Sequence, residues 1–332
     1  LREGTTIDKV RVGFIGTGGI SRGHMKRLSE MEDVTLVAFA DVSEAAVQDA
    51  SSKFGAKPYT DAATMFEENE LDAVYICVPP FAHGQPERLA IERNVALFVE
   101  KPVHLDLGEA REFAAEIQKR NLVSSVGYQE RYIDVINRLK GELAKERPGL
   151  VIGYWMGGVP GVAWWRKRHL SGGQAVEQTT HVFDMARYLI GEVKAVQAVG
   201  MRGLIDEFEG YDTEDASAAN LVFENGVIGT IFSACFLKTN QNVPSGLDIF
   251  CRHTTFNYRL RNSVTIAKNG ETTTWRIQND YQLEADRAFI DAVKAKNPGG
   301  VKSTYADSVR SLELTLAVNK AMDTRQTVEL PL

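Results

Sequence analysis

Five short apolar segments, at about 10–15, 34–40, 72–78, 95–99 and 122–126, punctuate the first part of the chain, and helix-period stretches at about 19–30, 43–53, 82–93 and 106–120 separate them. Strands this uniformly apolar suit a parallel sheet covered on both faces by crossover helices. The pattern therefore predicts a doubly wound α/β domain. Past residue 127 the pattern changes. A helix is expected at 129–140, a strand at 149–156, the loop VPGVAWWRKRHLSGG, and a helix over 174–189. Alternating segments near 193–202, 216–224, 226–236, 246–252, 255–260, 262–267 and 271–277 predict a large, open, mostly antiparallel sheet. Asn225-Gly226 and Lys268-Asn269-Gly270 are read as its hairpin turns, and helices at about 280–295 and 305–322 close the chain.

The first of these segments runs into VGFIGTGGISRGHMKRL, residues 12–28. Gly16, Gly18 and Ser21 fit the loose fingerprint G-x-G-x-x-small, which on its own arises often by chance. Here a strand precedes it and a helix follows, the context in which glycines admit a pyrophosphate to the backbone N–H groups of a helix start. Gly19 and Ile20 belong to the same turn. The second strand ends in Asp41, twenty residues beyond Ser21, where a carboxylate accepts from the ribose hydroxyls of an adenosine half. A carboxylate there repels a 2′-phosphate, which favours NAD over NADP. Asp41 also has a plain reading as a turn or cap residue ahead of Ser43, and the two roles are compatible. The expected organisation is a Rossmann domain at 1–127 and an α+β domain for substrate binding and oligomerisation at 128–332, with the last helix packing back on the first.

Composition narrows the partners. The 332 residues carry 38 basic and 44 acidic side chains, a net charge of −6 with no long run of either sign, so nucleic acid is not expected as a partner. The uncharged stretch Gly149 to Trp165 holds six glycines or prolines in seventeen residues and is too short and broken to span a bilayer. Cys77, Cys235 and Cys251 lie far apart with no metal or redox spacing, and Cys77 sits inside an apolar run as a buried thiol would. With no signal-type leader read at the start, a reducing, cytoplasmic setting is expected.

Two further stretches can carry chemistry. Val99-Glu100-Lys101-Pro102 falls at the carboxyl end of a predicted parallel strand, the ligand side of an open sheet. Lys101 can transfer a proton or stabilise an alkoxide, with Glu100 orienting it or a nicotinamide ribose; the bland reading is a solvent-facing ion pair ahead of a proline turn. In the run from Ser171 to Asp184, Glu177 and His181 stand four apart and share a face if the helix is continuous. A carboxylate beside an imidazole fixes its tautomer for proton abstraction, whereas a packed interface histidine is the alternative. No third local ligand accompanies the pair, so no metal is expected.

The IGTGGI at 15–20, the VEKPV at 99–103 and the GGQ...E...H...D run at 172–184 together resemble the glucose-fructose oxidoreductase, inositol dehydrogenase and rhizopine catabolism family of sugar-related dehydrogenases, over essentially the whole chain. The resemblance implies that His181 takes a substrate hydroxyl proton, that Lys101 holds the oxygen, that Glu177 stands where the family usually has aspartate, and that Pro79, Pro80 and His83 form the nicotinamide-side loop. It also implies dimers or tetramers through the antiparallel sheet. Thr179 and Asn94 stand where glycine is common, which puts the substrate in doubt more than the activity. Substrate contacts are expected from Tyr128, Trp164, Trp165, Arg166 and Asp184, since an indole suits a sugar face and a guanidinium an acidic group. The leading expectation is an NAD-dependent dehydrogenase oxidising a secondary hydroxyl of a sugar, cyclitol or sugar acid. A retained-NAD lyase or glycosidase and a non-catalytic dinucleotide-binding regulator are the alternatives from other classes.

Overall fold

Strands β1 (Val10–Ile15), β2 (Val34–Ala40), β3 (Lys57–Tyr59), β4 (Ala73–Ile76), β5 (Ala96–Val99) and β6 (Ser124–Val126) form an all-parallel sheet in the order β3-β2-β1-β4-β5-β6. The order reverses between β1 and β4, and open α/β sheets bind ligands at the carboxyl ends beside such a reversal. Helices α1 (Gly19–Ser29), α2 (Glu44–Phe54), α3 (Ala62–Glu68), α4 (Gln85–Glu92) and α5 (Leu107–Lys119) are the crossovers. Their starts are written in the sequence: the Ser43 hydroxyl accepts from the Ala46 N–H and the Asp106 carboxylate from the Glu109 N–H, caps worth about 1 kcal/mol each. The three-residue β3 and the short α3 were not expected, because Lys-Pro-Tyr is too brief and too polar to stand out as an apolar run.

This computed structural model describes residues 8–238, 243 and 245–332. The chain divides into two units, one holding the chain to Gln129 with Gln282–Val309, the other Glu130–Tyr281 with Arg310–Leu332. What rejoins the first unit is α10 (Tyr281–Ala295) with the opening of α11 (Tyr305–Thr324), rather than the last helix as a whole. At the centre of the first unit, Phe14, Tyr75 and Phe98 lie side by side on adjacent strands in register and stack at 4.9 and 4.6 Å between ring centroids. Such aromatic pairs add about 0.5–1.5 kcal/mol beyond their burial. Phe289 of α10 meets two of these rings edge-on.

In the second unit, α6 (Asp134–Leu143), α7 (Arg168–Ser171), α8 (Gln174–Glu177) and α9 (Thr180–Ile190) accompany a nine-stranded sheet. Its strands are β7 (Pro148–Met156), β8 (Val193–Met201), β9 (Ala216–Phe223), β10 (Ile228–Ala234), β11 (Gly246–Cys251), β12 (Thr254–Arg259), β13 (Ser263–Lys268), β14 (Glu271–Arg276) and β15 (Val328–Glu329). They run in the order β14-β13-β12-β11-β7-β10-β9-β8-β15, antiparallel except where β10 meets β7. Val135, Ile136 and Leu139 of α6, Val182, Phe183 and Ala186 of α9, and Leu314, Ala317 and Val318 of α11 share one core with the strands. The expected single helix over 174–189 is broken: α8 ends at Glu177 and α9 begins at Thr180. Among the described residues no helix is long and apolar enough to cross a membrane.

Candidate active site

In the first unit the glycine turn sits at the carboxyl end of β1. Gly16 has φ of +90°, and a Cβ on it would lie 2.3 Å from the Cys77 carbonyl oxygen just past β4, so only glycine fits at the reversal of strand order. Gly18 and Gly19 face open space and head α1, leaving backbone N–H groups for a phosphate. Ser21 replaces the third glycine without obstruction: it is fully buried and its hydroxyl donates to the Gly18 carbonyl at 2.8 Å. Asp41 follows β2, and its carboxylate accepts from the Thr17 N–H and hydroxyl and from the Ser43 N–H. Ile20, Val42 and Phe81 follow β1, β2 and β4 and expose 46%, 97% and 48% of their surface. One exposed apolar side chain is ordinary, but three along the ligand edge of adjacent strands suit a flat, partly apolar ligand.

Glu100 and Lys101 follow β5. Lys101 is half-buried, while Glu100 is 7% exposed and turned inward. Its carboxylate lies 3.2 Å from His24 Nε2 and accepts from the Lys101 N–H. His24 Nδ1 is 2.5 Å from Asp286 on α10, and Arg27 donates to the other Asp286 oxygen at 2.6 Å. A side chain at Gly127 would collide with the Glu100 carboxylate at 2.6 Å, so glycine there leaves that carboxylate its place. Burial alone would strip the proton from His24, but the two carboxylates outweigh it and hold the imidazole at about 9. The expected orienting role of Glu100 is thus directed at α1 and α10 as well as at the Lys101 backbone. The side chain of His83 is enclosed, with Nδ1 2.5 Å from Glu87, whose other oxygen accepts from the Gly84 N–H. That imidazole fastens the start of α4, which leaves Pro79 and the exposed Phe81 as the outward part of the loop.

In the second unit His181 lies in the first turn of α9 and is 5% exposed. Its Nδ1 is 3.0 Å from Glu130, and its ring lies at 16° to the indole of Trp155 with centroids 5.7 Å apart. Burial would raise the Glu130 carboxyl, but His181 and Arg261 outweigh that and hold it at about 2. An ionised carboxylate only accepts, so Nδ1 carries a proton and the neutral ring keeps its lone pair on Nε2. Glu130 is therefore the carboxylate at His181 Nδ1. Glu177 ends α8 and His181 lies in α9, so the two do not share one continuous helix, and Glu177 accepts from the Trp165 indole N–H at 2.8 Å.

Three of the expected substrate contacts are enclosed side chains. Asp184 is 1% exposed and takes a two-point grip from Arg131, with Ser311 donating as well, so it fastens α9 inside the unit. Trp165 is fully buried beside Ile205 and Cys235, and Tyr128 is 1% exposed. Trp164 and Arg166 keep part of their surface, the guanidinium lying 3.8 Å above the Phe208 ring. Among the described residues no group of three histidine, cysteine or acidic side chains is placed to hold a metal ion.

The glycine turn, the open N-terminus of α1 and the strand order fit a dinucleotide, and comparison with known proteins agrees. Residues 10–128 match the model described as the oxidoreductase family with an NAD-binding Rossmann fold, and residues 150–257 match the GFO/IDH/MocA C-terminal domain. The chain belongs to this family. Relatives within it include the myo-inositol 2-dehydrogenase of Thermotoga maritima, 26% identical and aligned over 97% of this chain and 98% of that protein. The NAD(+) scyllo-inositol 2-dehydrogenase of Bacillus subtilis is 28% identical over 97% and 96%. A levoglucosan dehydrogenase solved with NADH and levoglucosan superposes with a TM-score of 0.88 at 17% identity, covering 98% of this chain and all of that one, a likeness of fold.

As a member of the GFO/IDH/MocA family the chain binds NAD through its first unit, where Gly16 and Gly18 lie in the turn and Gly19 and Ile20 open α1. The sequence reading missed Glu130, Arg261, His24 and Asp286. Each pair is far apart in sequence, 51 residues for Glu130 and His181 and 262 for His24 and Asp286, so no local spacing links them.

Proposed function

We propose that this protein is an NAD-dependent dehydrogenase that reversibly oxidises a secondary hydroxyl of a sugar, cyclitol or sugar acid to a ketone. The observation that carries this reading is the buried His181–Glu130 pair, in a chain whose other unit has a glycine turn built for a dinucleotide. When bound, NAD would supply the hydride acceptor for the carbinol carbon. His181, its proton held on Nδ1 by Glu130, takes the hydroxyl proton at Nε2, and the Lys101 ammonium steadies the oxygen as charge develops. Glu177 fastens Trp165 and so shapes the turn at 163–166, from which Trp164 and Arg166 contact the substrate. Asp41 accepts from an adenosine ribose hydroxyl, which sets NAD ahead of NADP.

The inositol dehydrogenases among the relatives support cyclitols as the first substrates to try. Self-association is part of the same reading. Leu150, Ile228, Phe232 and Val199 are exposed on β7, β10 and β8, and the strand register sets them on one face of the sheet, which suits a second copy of the chain. The direct test is formation of reduced nicotinamide, followed by absorbance, with inositols, aldoses, aldonic acids and amino sugars in parallel with NAD and NADP. Turnover of one class with NAD is expected; silence across the panel with NAD bound would overturn the dehydrogenase reading.

A further inference from the structure

The residue between the first two fingerprint glycines does more than complete a turn. Thr17 is fully buried, and both of its donors go to one atom: its N–H lies 2.7 Å and its hydroxyl 2.9 Å from Asp41 Oδ2. The other oxygen, Oδ1, accepts from the Ser43 N–H at 2.9 Å. A carboxylate has about four acceptor positions. Three are filled by groups of the chain itself among the described residues, and the fourth is on Oδ1. The side chain is thereby fixed in direction from two sides, by the glycine turn after β1 and by the start of α2.

We propose that Thr17 is a specificity-determining positioning residue, whose hydroxyl holds the Asp41 carboxylate so that a single acceptor position on Oδ1 meets the adenosine ribose and the charge cannot swing aside for a 2′-phosphate. The inference rests on the reading of Asp41 as the ribose acceptor. Its physical content is preorganisation: a carboxylate already tied down loses little freedom when a ribose hydroxyl donates to it. It also discriminates by repulsion, because a phosphate brought to a fixed carboxylate has no way to relieve the clash of like charges. A loosely held aspartate would turn toward solvent and tolerate the phosphate. The Thr17 backbone N–H persists in any variant except proline, so the hydroxyl can be deleted alone.

The test is direct binding of NADH and NADPH to the full chain, by calorimetry and by nicotinamide fluorescence, without turnover. Thr17→Val nearly conserves shape and is expected to lower the preference for NADH over NADPH by about 10-fold, the size of one hydrogen bond to a charged group. Thr17→Ser, which keeps the hydroxyl, is expected to retain the preference. Thr17→Ala makes the same deletion if the valine methyl disturbs the turn, and thermal unfolding is recorded for each variant. Equal weakening of both dinucleotides would mean that Thr17 only shapes the turn, and would overturn the proposal. Asp41→Asn separates the two layers. If it leaves the preference unchanged, the ribose reading fails and the proposal with it; if it collapses the preference while Thr17→Val does not, the ribose reading stands and the role of Thr17 is overturned.

Discussion

Each unit contains a buried histidine paired with an acid, and the two pairs are built for different ends. His24 has a carboxylate at both ring nitrogens, Asp286 and Glu100, with Arg27 completing a neutral set of four charges under the aromatic ladder. His181 has Glu130 at Nδ1 and the Trp155 indole against its face, and Glu130 is shared with Arg261. Two carboxylates around one imidazole commit His24 to a charge, and it then ties α1, the end of β5 and α10 together. The Glu130 carboxylate, shared with the Arg261 guanidinium, fixes the direction of the His181 ring. A buried histidine beside an acid is therefore no sign of catalysis by itself; what the acid is shared with decides its use.

The sharpest way to break this comparison is to remove each imidazole in turn. His181→Gln is expected to slow turnover by about 10²–10⁴-fold, the range for loss of a positioned acid or base, with a smaller loss of stability than at His24 because Arg261 still pairs Glu130. His24→Gln is expected to reverse the pattern. It leaves Asp286 and Glu100 buried without their common cation, which costs on the order of 3–5 kcal/mol in denaturant unfolding, while the rate per folded molecule at saturating NAD and substrate changes little. Full stability with abolished turnover in His24→Gln would exchange the two assignments.

The pH dependence of stability sharpens the contrast, since the two sites act at opposite ends of the scale. The folded-state value of His24 is raised to about 9, so its stabilisation is complete below about 6.5 and is lost as pH rises through 9. Glu130 is lowered to about 2, so its stabilisation is present above about 4.5 and is lost as pH falls toward 2. Each arm is worth on the order of 3 kcal/mol. Unfolding followed across pH should lose its alkaline arm in His24→Gln and its acid arm in Glu130→Gln. An alkaline arm that survives in His24→Gln would mean that His24 is not the cation that ties α10 to the sheet.

How much of this was legible in the sequence follows from distance along the chain. The glycine turn at 16–19, the position of Asp41 after β2 and the two Asn-Gly hairpins are local patterns that lie where the patterning placed them, as do most strands and helices, whereas the helices expected at 129–140 and 174–189 start late or break. The short β3 and β15 carry too few residues for a period to register. The site was legible as single residues, Lys101 and His181, but not as partnerships. Helix spacing offered Glu177 as the companion of His181 because four residues suggest one face, and the helix is interrupted between them, α8 ending at Glu177 and α9 starting at Thr180. Glu130 comes instead from the turn before α6, where the run Gln129-Glu130-Arg131 sends one charge to His181 and the next to Asp184. Residue types alone do not say which aspartate or tryptophan will be covered, and Asp184 and Trp165 are.

The smallest expected effect bears on Glu177, which belongs either to the imidazole site or to the packing beside it. Trp165→Phe keeps most of the buried ring and deletes the indole N–H that Glu177 accepts at 2.8 Å. Loss of one hydrogen bond to a charged group costs about 1.5–3 kcal/mol when nothing replaces it, and Glu177, being partly exposed, can recover some of that from water. A loss near 1 kcal/mol in denaturant unfolding is therefore expected. If Glu177 serves the packing, kcat falls only slightly and the pH profile of kcat/KM keeps its wild-type midpoints, because His181 still has Glu130 at Nδ1. If Glu177 instead acts on His181, releasing it from the indole changes the field at the ring, and a midpoint moves. A moved midpoint without a loss of stability would return Glu177 to the proton-transfer pair and make the resemblance to the family's usual aspartate functional rather than positional.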